Sequence, residues 1–169
     1  MTATIPPPSL SPPPLRYWLM KSEPADCSID DLAAHPTQPV PWVGVRNYQA
    51  RNFMRDTMQV GDLAFFYHSS CPQPGIVGIV QVSRTAYPDA TQFDAHSKYF
   101  DPKSKPDLPS WLNVDVLLVQ KLPLIPLATL RNTPALADLR ILQRGNRLSI
   151  TPVDAVHWEQ IIELSTLQK

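Results

Sequence analysis

Trp42, Arg46, Asn47 and Tyr48 fall within seven residues, in the stretch WVGVRNYQARNFMRD, which also holds Arg51 and Arg55. An aromatic face stacks on a base, a planar amide donates to and accepts from a base edge, and a guanidinium fork grips phosphate. The same residue types also line the wet side of an ordinary amphipathic helix. Which chemistry applies depends on where the helix starts. Asn47 is a natural N-cap, and a helix N-terminus offers free N–H groups and positive potential to an anion. Asn47 therefore has two readings, as a cap and as a base-edge reader. Trp42 follows PVP and precedes the helix. It reads either as a rim or core residue or as a stacking face. Arg51 and Arg55 are four apart and share the solvated side of the helix, where Arg51 would meet phosphate.

Other candidates lie further along. In FFYHSS, strand alternation puts Phe66 and His68 on one face and Phe65 and Tyr67 on the other, so one pair must be core. His68 and Ser69 stand at the end of that strand and can both donate and accept, which suits a base edge. His68 with Cys71 could instead act as base and nucleophile in a small-molecule hydrolase. Against this, Cys71 precedes a proline in a turn, with no oxyanion donor or orienting acid motif beside it. Arg144 sits in an RGN turn that either touches phosphate or is plain surface. Lys98, Lys103 and Lys105 form a basic flank or simply keep a long loop soluble, and Lys103 is taken as a phosphate contact.

These side chains need elements to hold them. RYWLMK (16–21) reads as a first strand. Ser28 and Asp31 have capping-box spacing, so a short helix starts at Ser28 and the prolines of HPTQPVP end it. The second helix starts near Asn47, with Ala50, Phe53, Met54 and Met58 as its apolar face. Strands follow over 60–69, 74–83 and 111–122. Gly78, inside the second of these, allows close approach of a backbone or ligand. The intervening residues 84–110 show no sustained period, but their aromatics argue that part of the segment packs down. After two short helical turns and a strand, Thr151 caps a last helix with Pro152 at its first position. Ala155, Trp158, Ile161 and Ile162 form its core face. The expectation is a small mixed barrel rather than a doubly wound sheet.

The 169 residues suit one folded domain, spanning 15–169, behind a proline-rich tail over 1–14. That tail is either a mobile extension or a docking peptide of an interaction adaptor. Fifteen basic and fifteen acidic residues cancel, so any nucleic-acid site must be a local patch rather than a global field. No apolar run is long enough to span a membrane, and the N-terminus lacks a signal-peptide pattern. A protein that is not secreted, in a reducing compartment, is expected: the cytoplasm of a bacterium or the nucleus of a eukaryote. Two separated cysteines and four scattered histidines fit no disulfide framework or metal motif, so neither metal nor cofactor is expected.

Five blocks resemble the EVE domain in order and spacing: YWLMKSEP, WVGVRNYQARNFMR, GDLAFFYHSSCPQPGIVGI, YPDATQFDAHSKYFDPKS and RGNRLSITPV. The likeness runs from about Tyr17 to Leu164. The resemblance implies an α+β, PUA-like fold, related to the YTH domain: a five-stranded mixed pseudobarrel with peripheral helices. It implies a partner, DNA or RNA carrying a modified base, of the modified-cytosine or methyladenine type, received in an aromatic pocket. It implies no enzymatic activity. By the same likeness, LMKS places Lys21 and Ser22 at a strand end that lines the pocket. The expected pocket is then Lys21, Ser22, Trp42, Arg46, Asn47, Tyr48, His68 and Ser69, with Arg51, Arg144 and Lys103 at phosphates.

Overall fold

The computed structural model describes residues 15–167, so the proline-rich stretch over 1–14 lies outside the described residues. The first strand, β1, runs Tyr17–Ser22. Trp18, Leu19 and Met20 are successive residues that point to opposite faces, yet all are buried, so both faces of the sheet are covered. The Ser28 capping box forms as its spacing predicts: Ser28 Oγ accepts from the Asp31 N–H, and the Asp31 carboxylate accepts from the Ser28 N–H. It starts α1, Ile29–Ala34, which buries Ile29 and Leu32. A Cβ on Gly78 would lie 2.4 Å from Ile29 Cδ1, so the close approach that glycine permits is used by α1 packing onto the sheet.

The proline stretch that ends α1 contains a strand that its residue types do not announce. This is β2, Val40–Pro41, only two residues long and paired antiparallel with Val116 and Asp115. Asn47 then caps α2, Tyr48–Asn52, its Oδ1 accepting from the Ala50 N–H at 3.0 Å. The next turn, Phe53–Thr57, widens to a π-helix, closed by the Met58 N–H on the Phe53 carbonyl at 2.9 Å. Ala50, Met54 and Met58 are buried and Phe53 packs against them, which is the apolar face expected from their spacing.

The remaining strands are β3 (Leu63–His68), β4 (Gly75–Pro88), β5 (Leu112–Pro126) and β6 (Ile150–Val153). All six strands form one mixed sheet in the order β2-β5-β4-β3-β1-β6. The β1–β3 pair is parallel; every other pair is antiparallel. Both β4 and β5 extend beyond the expected limits, and their pairing shifts register at four places. Such bulges bend and twist the ladder, which lets strands of this length curl toward a barrel. The fold is thus α+β and pseudobarrel-like, with six strands among the described residues where five were expected.

Two readings of local pattern are corrected by tertiary pairing. Phe65, Phe66 and Tyr67 are all buried, not one pair of the two. Phe66 joins a core with Trp18, Trp42 and Met54, while Phe65 and Tyr67 join a second core with Leu19, Trp158 and Ile161 on the other face. Thr151 and Pro152 do not open a helix. They belong to β6, opposite Leu19 and Trp18. The last helix, α4, is Ala155–Leu167, and its first turn closes on the Asp154 carbonyl. Ala155 is exposed, leaving Trp158 and Ile161 as the buried face, with Ile162 partly covered.

Candidate nucleic-acid interface

At the C-terminal ends of the parallel strands, Lys21 and Ser22 of β1 stand beside Ser69, just past β3, whose N–H donates to the Ser22 carbonyl. Around them opens a cleft of about 910 Å³, within the size range of small-molecule sites. Val40 and Pro41 of β2 line it, and so does Ser149, which precedes β6. Since β2 and β6 are opposite edges of the sheet, the cleft is the seam where the curled sheet fails to close. Trp42 N–H donates to the Val114 carbonyl and Lys21 N–H to the Ser149 carbonyl, both at 2.8 Å, which fixes the two sides of the seam.

Trp42 lies on the cleft but is only 6 % exposed. Its ring meets the Phe66 ring edge-to-face at 5.3 Å. It is therefore a floor residue rooted in the core, with little free face. The more available ring is Tyr99, from the long 84–110 segment, half-buried on the cleft wall. Its seat is Gly44, where φ is +86° and an added Cβ would fall 2.5 Å from Tyr99 Cζ. Gly44→Ala should therefore combine backbone strain with displacement of this ring. A stability loss of about 1–3 kcal/mol is expected in urea unfolding, and a neutral result would show that the ring does not rest there.

Arg46 explains how a loop so distant in sequence is held. All five of its N–H donors are used inside the protein: two on the Tyr99 carbonyl, the others on the Val45 carbonyl, Thr91 Oγ1 and Asp89 Oδ2. Asp89 is fully buried and also accepts from the Gly44 and Thr91 N–H groups, each at 2.8 Å. Arg46 is thus a clasp behind the wall, without a donor to spare for phosphate. Buried Gln92 completes the clasp. Its amide donates to the Asp89 and Trp111 carbonyls and accepts from Ser104 and the Trp111 N–H.

Of the residues expected from sequence, Lys21, Ser22, Trp42 and Ser69 come together on the cleft. Asn47 is occupied as a helix cap, and Tyr48 is exposed, stacked on Trp111 at 4.8 Å, away from the cleft wall. Arg51 lies over Tyr48 and donates to the Asn52 side chain and the Ser110 carbonyl. His68 stands behind the cleft, its Nε2 accepting the Ile29 N–H at 3.1 Å. That lone pair is the one a general base would use, and burial pushes the imidazole pKa down. Arg144 and Lys103 are exposed and do not line the cleft; Arg147 does.

Sequence reading missed Asp26, Cys27, Tyr99, Arg147 and Ser70, all on the cleft wall, and Lys98, read as a basic flank or a solubilising loop charge, lies there too. Ser70 has φ of +54°, a left-handed turn that follows the strand end. Lys98 and Asp26 pair across loops 72 residues apart, with Nζ 2.6 Å from both carboxylate oxygens. Tyr99 Oη donates to the same carboxylate at 3.1 Å. The Lys98 hydrogen bond holds the Asp26 carboxyl below its usual range, and the pair raises the Lys98 pKa in turn. Burial lowers the Lys21 pKa, and burial with the nearby Asp31 and Asp26 raises that of Cys27, so its thiol is no ready nucleophile. Among the described residues, no group of three or more His, Cys, Asp or Glu is placed to hold a metal ion, and no helix is long and apolar enough to cross a membrane.

The family described as EVE domain matches residues 16–164. Human thymocyte nuclear protein 1 is 42% identical over 165 residues, covering 88% of this chain and 73% of that protein. Its crystal structure in complex with 5-methylcytosine-containing DNA superposes with a TM-score of 0.82, covering 89% of this chain and 97% of that one, at 42% identity. A Pseudomonas putida protein of known structure is 50% identical, with a TM-score of 0.83 and coverage of 88% and 99%.

Proposed function

The chain belongs to the EVE-domain family, and we propose that it binds DNA and holds a modified base, extruded from the strand, in the cleft at the ends of β1 and β3. The observation that carries this reading is the cleft itself. It joins a tryptophan floor and a tyrosine wall to a ring of hydroxyls and a few cations, in a chain similar to one solved with 5-methylcytosine DNA. Stacking of a base on an aromatic ring contributes about 1–3 kcal/mol. Tyr99 supplies most of that face and Trp42 the floor beneath it. Ser22 Oγ donates to the Cys27 carbonyl at 2.6 Å, which leaves its lone pairs to accept from a base edge. Arg147, at the rim, meets a flanking phosphate. Nothing in this arrangement activates a nucleophile, and the reading is of a binding domain without catalysis.

Magnitudes set the selectivity. Burying one methyl is worth about 0.8 kcal/mol, roughly fourfold in affinity, so stronger discrimination needs a close fit around the modification. 5-Methylcytosine is neutral near pH 7, so attraction between a cation and the aromatic walls adds little. Extrusion from a duplex costs a few kcal/mol and is cheapest from a single strand. The test is titration with matched single- and double-stranded oligonucleotides, with and without 5-methylcytosine. Modest preference for the modified base is expected, with single strands bound at least as well as duplexes. Because the cleft wall offers Lys21 and Arg147 as cations not already paired with a carboxylate, log affinity for duplex against log salt should have a slope of about −2. Equal affinity across every modification tried would leave only a general single-strand binder.

A further inference from the structure

Most polar groups on the cleft wall cannot tell an amino group from a carbonyl. The hydroxyls of Ser69, Ser70 and Ser149 rotate to donate or accept as required, and that of Ser22 is already spent on the Cys27 carbonyl. An ionised carboxylate can only accept, and the cleft wall has two, Glu23 and Asp26. Asp26 is the one held in place. Lys98 Nζ sits 2.6 Å from each of its oxygens, and Tyr99 Oη donates to Oδ2 at 3.1 Å. These contacts come from a loop 72 residues away and fix the carboxylate beside the ring that rests on Gly44, two residues from Trp42. Asp26 therefore stands at the aromatic end of the cleft.

A carboxylate has about four lone-pair sites. The contacts with Lys98 and Tyr99 take up one site on Oδ1 and two on Oδ2. Oδ1 keeps one acceptor site, and the side chain is 31% exposed. Resting on the base-binding reading above, we infer that Asp26 reads the exocyclic amino group of the held base, and so restricts the cleft to cytosine- and adenine-type bases against thymine and uracil. An amino group at this oxygen donates into the spare lone pair. Thymine and uracil set a carbonyl there instead, so two lone pairs face each other with no proton between them. The same pairing, carboxylate with the cytosine N4 amino group, distinguishes bases in the major groove. Lys98 serves this role without touching the base: it keeps the carboxylate ionised and aimed.

Thymine is 5-methyluracil, so it matches 5-methylcytosine in ring size and in the 5-methyl group, and differs on the pairing edge. The experiment uses three single strands, alike except for a central 5-methylcytosine, thymine or abasic site, titrated into the full chain and into Asp26→Asn. Single strands remove any difference in pairing partner. The parent protein should bind the 5-methylcytosine strand about tenfold tighter than the thymine strand, the effect of one charge-assisted hydrogen bond. Asp26→Asn can turn its amide to donate, so the ratio should fall to about threefold or less, mainly through tighter binding of thymine. Asp26→Ala removes the acceptor outright and should lose 5-methylcytosine affinity without that gain. Equal binding of 5-methylcytosine and thymine by the parent, both well above the abasic strand, would overturn the assignment while leaving base binding intact. So would an unchanged ratio in Asp26→Asn. Equal binding of all three strands would remove the base-binding reading and this assignment with it.

Discussion

Trp42→Ala is expected to cost about 3–5 kcal/mol of folding stability, read as a shift of the midpoint in urea unfolding. Its position in sequence, after a proline and before a helix, left it open as a rim or core residue or as a stacking face. The structure roots that ring in the core: it is 6 % exposed and meets Phe66 edge-to-face. Its deletion opens a cavity beside Phe66, in the core shared with Trp18 and Met54, where well-packed neighbours relax only partly. Base binding should weaken as well, because the floor of the cleft is gone. The two effects separate with Tyr99→Ala, which removes the half-buried wall ring. It should cost about 1–3 kcal/mol in binding with a smaller loss of stability. A Trp42→Ala protein that unfolds at the parent midpoint would contradict the buried placement.

The second large effect concerns a residue that never touches the cleft. Asp89→Ala should destabilise by about 3–5 kcal/mol, the usual consequence of removing one partner of a buried ion pair. The carboxylate is fully buried and accepts from Arg46 Nη1, the Gly44 N–H and Thr91. Without it, the Arg46 guanidinium loses its counter-charge and the Gly44 N–H loses its acceptor. Both groups hold the segment that carries Tyr99, so base affinity should fall together with stability. Asp89→Asn keeps the shape and part of the hydrogen bonding and should lose less. If Asp89→Ala bound the oligonucleotide as tightly as the parent, the clasp would not be what sets the wall.

Local signals carried much of the fold. The Ser28–Asp31 box, the Asn47 cap and the apolar recurrence from Ala50 to Met58 each depend on residues a few positions apart, and each forms as its spacing predicts. β2 was illegible because two residues, one of them proline, become a strand only by meeting Val116 and Asp115. The start of α4 was misplaced because Thr151 and Pro152 satisfy a local capping pattern while pairing with β1 decides the outcome. The site divides in the same way. Lys21, Ser22, Trp42 and Ser69 reach the cleft because strand ends gather there; the family likeness had singled out Lys21 and Ser22, and Ser69 was read from its place at a strand end. Asp26, Lys98 and Tyr99 meet through a closure of more than seventy residues, which no local spacing encodes. Only the aromatics of the 84–110 segment hinted that it packs against the domain. Arg46 looked like a phosphate ligand because its type says nothing about how many donors the fold has already used.

The unclosed seam gives the free protein a place to breathe. Elsewhere each inner strand is clamped by a neighbour on both sides, but at the cleft β2 and β6 each have one. Opening there breaks few hydrogen bonds, so the amides beside it belong to the low-free-energy end of local fluctuations. Trp42 N–H and Lys21 N–H, which bond to Val114 and Ser149, report the two banks. A base wedged between them would bridge banks that the backbone does not join. In deuterium exchange, slowing on ligand binding should therefore concentrate at these two amides and their neighbours, while the centre of the β4–β5 ladder, already protected, stays as it was.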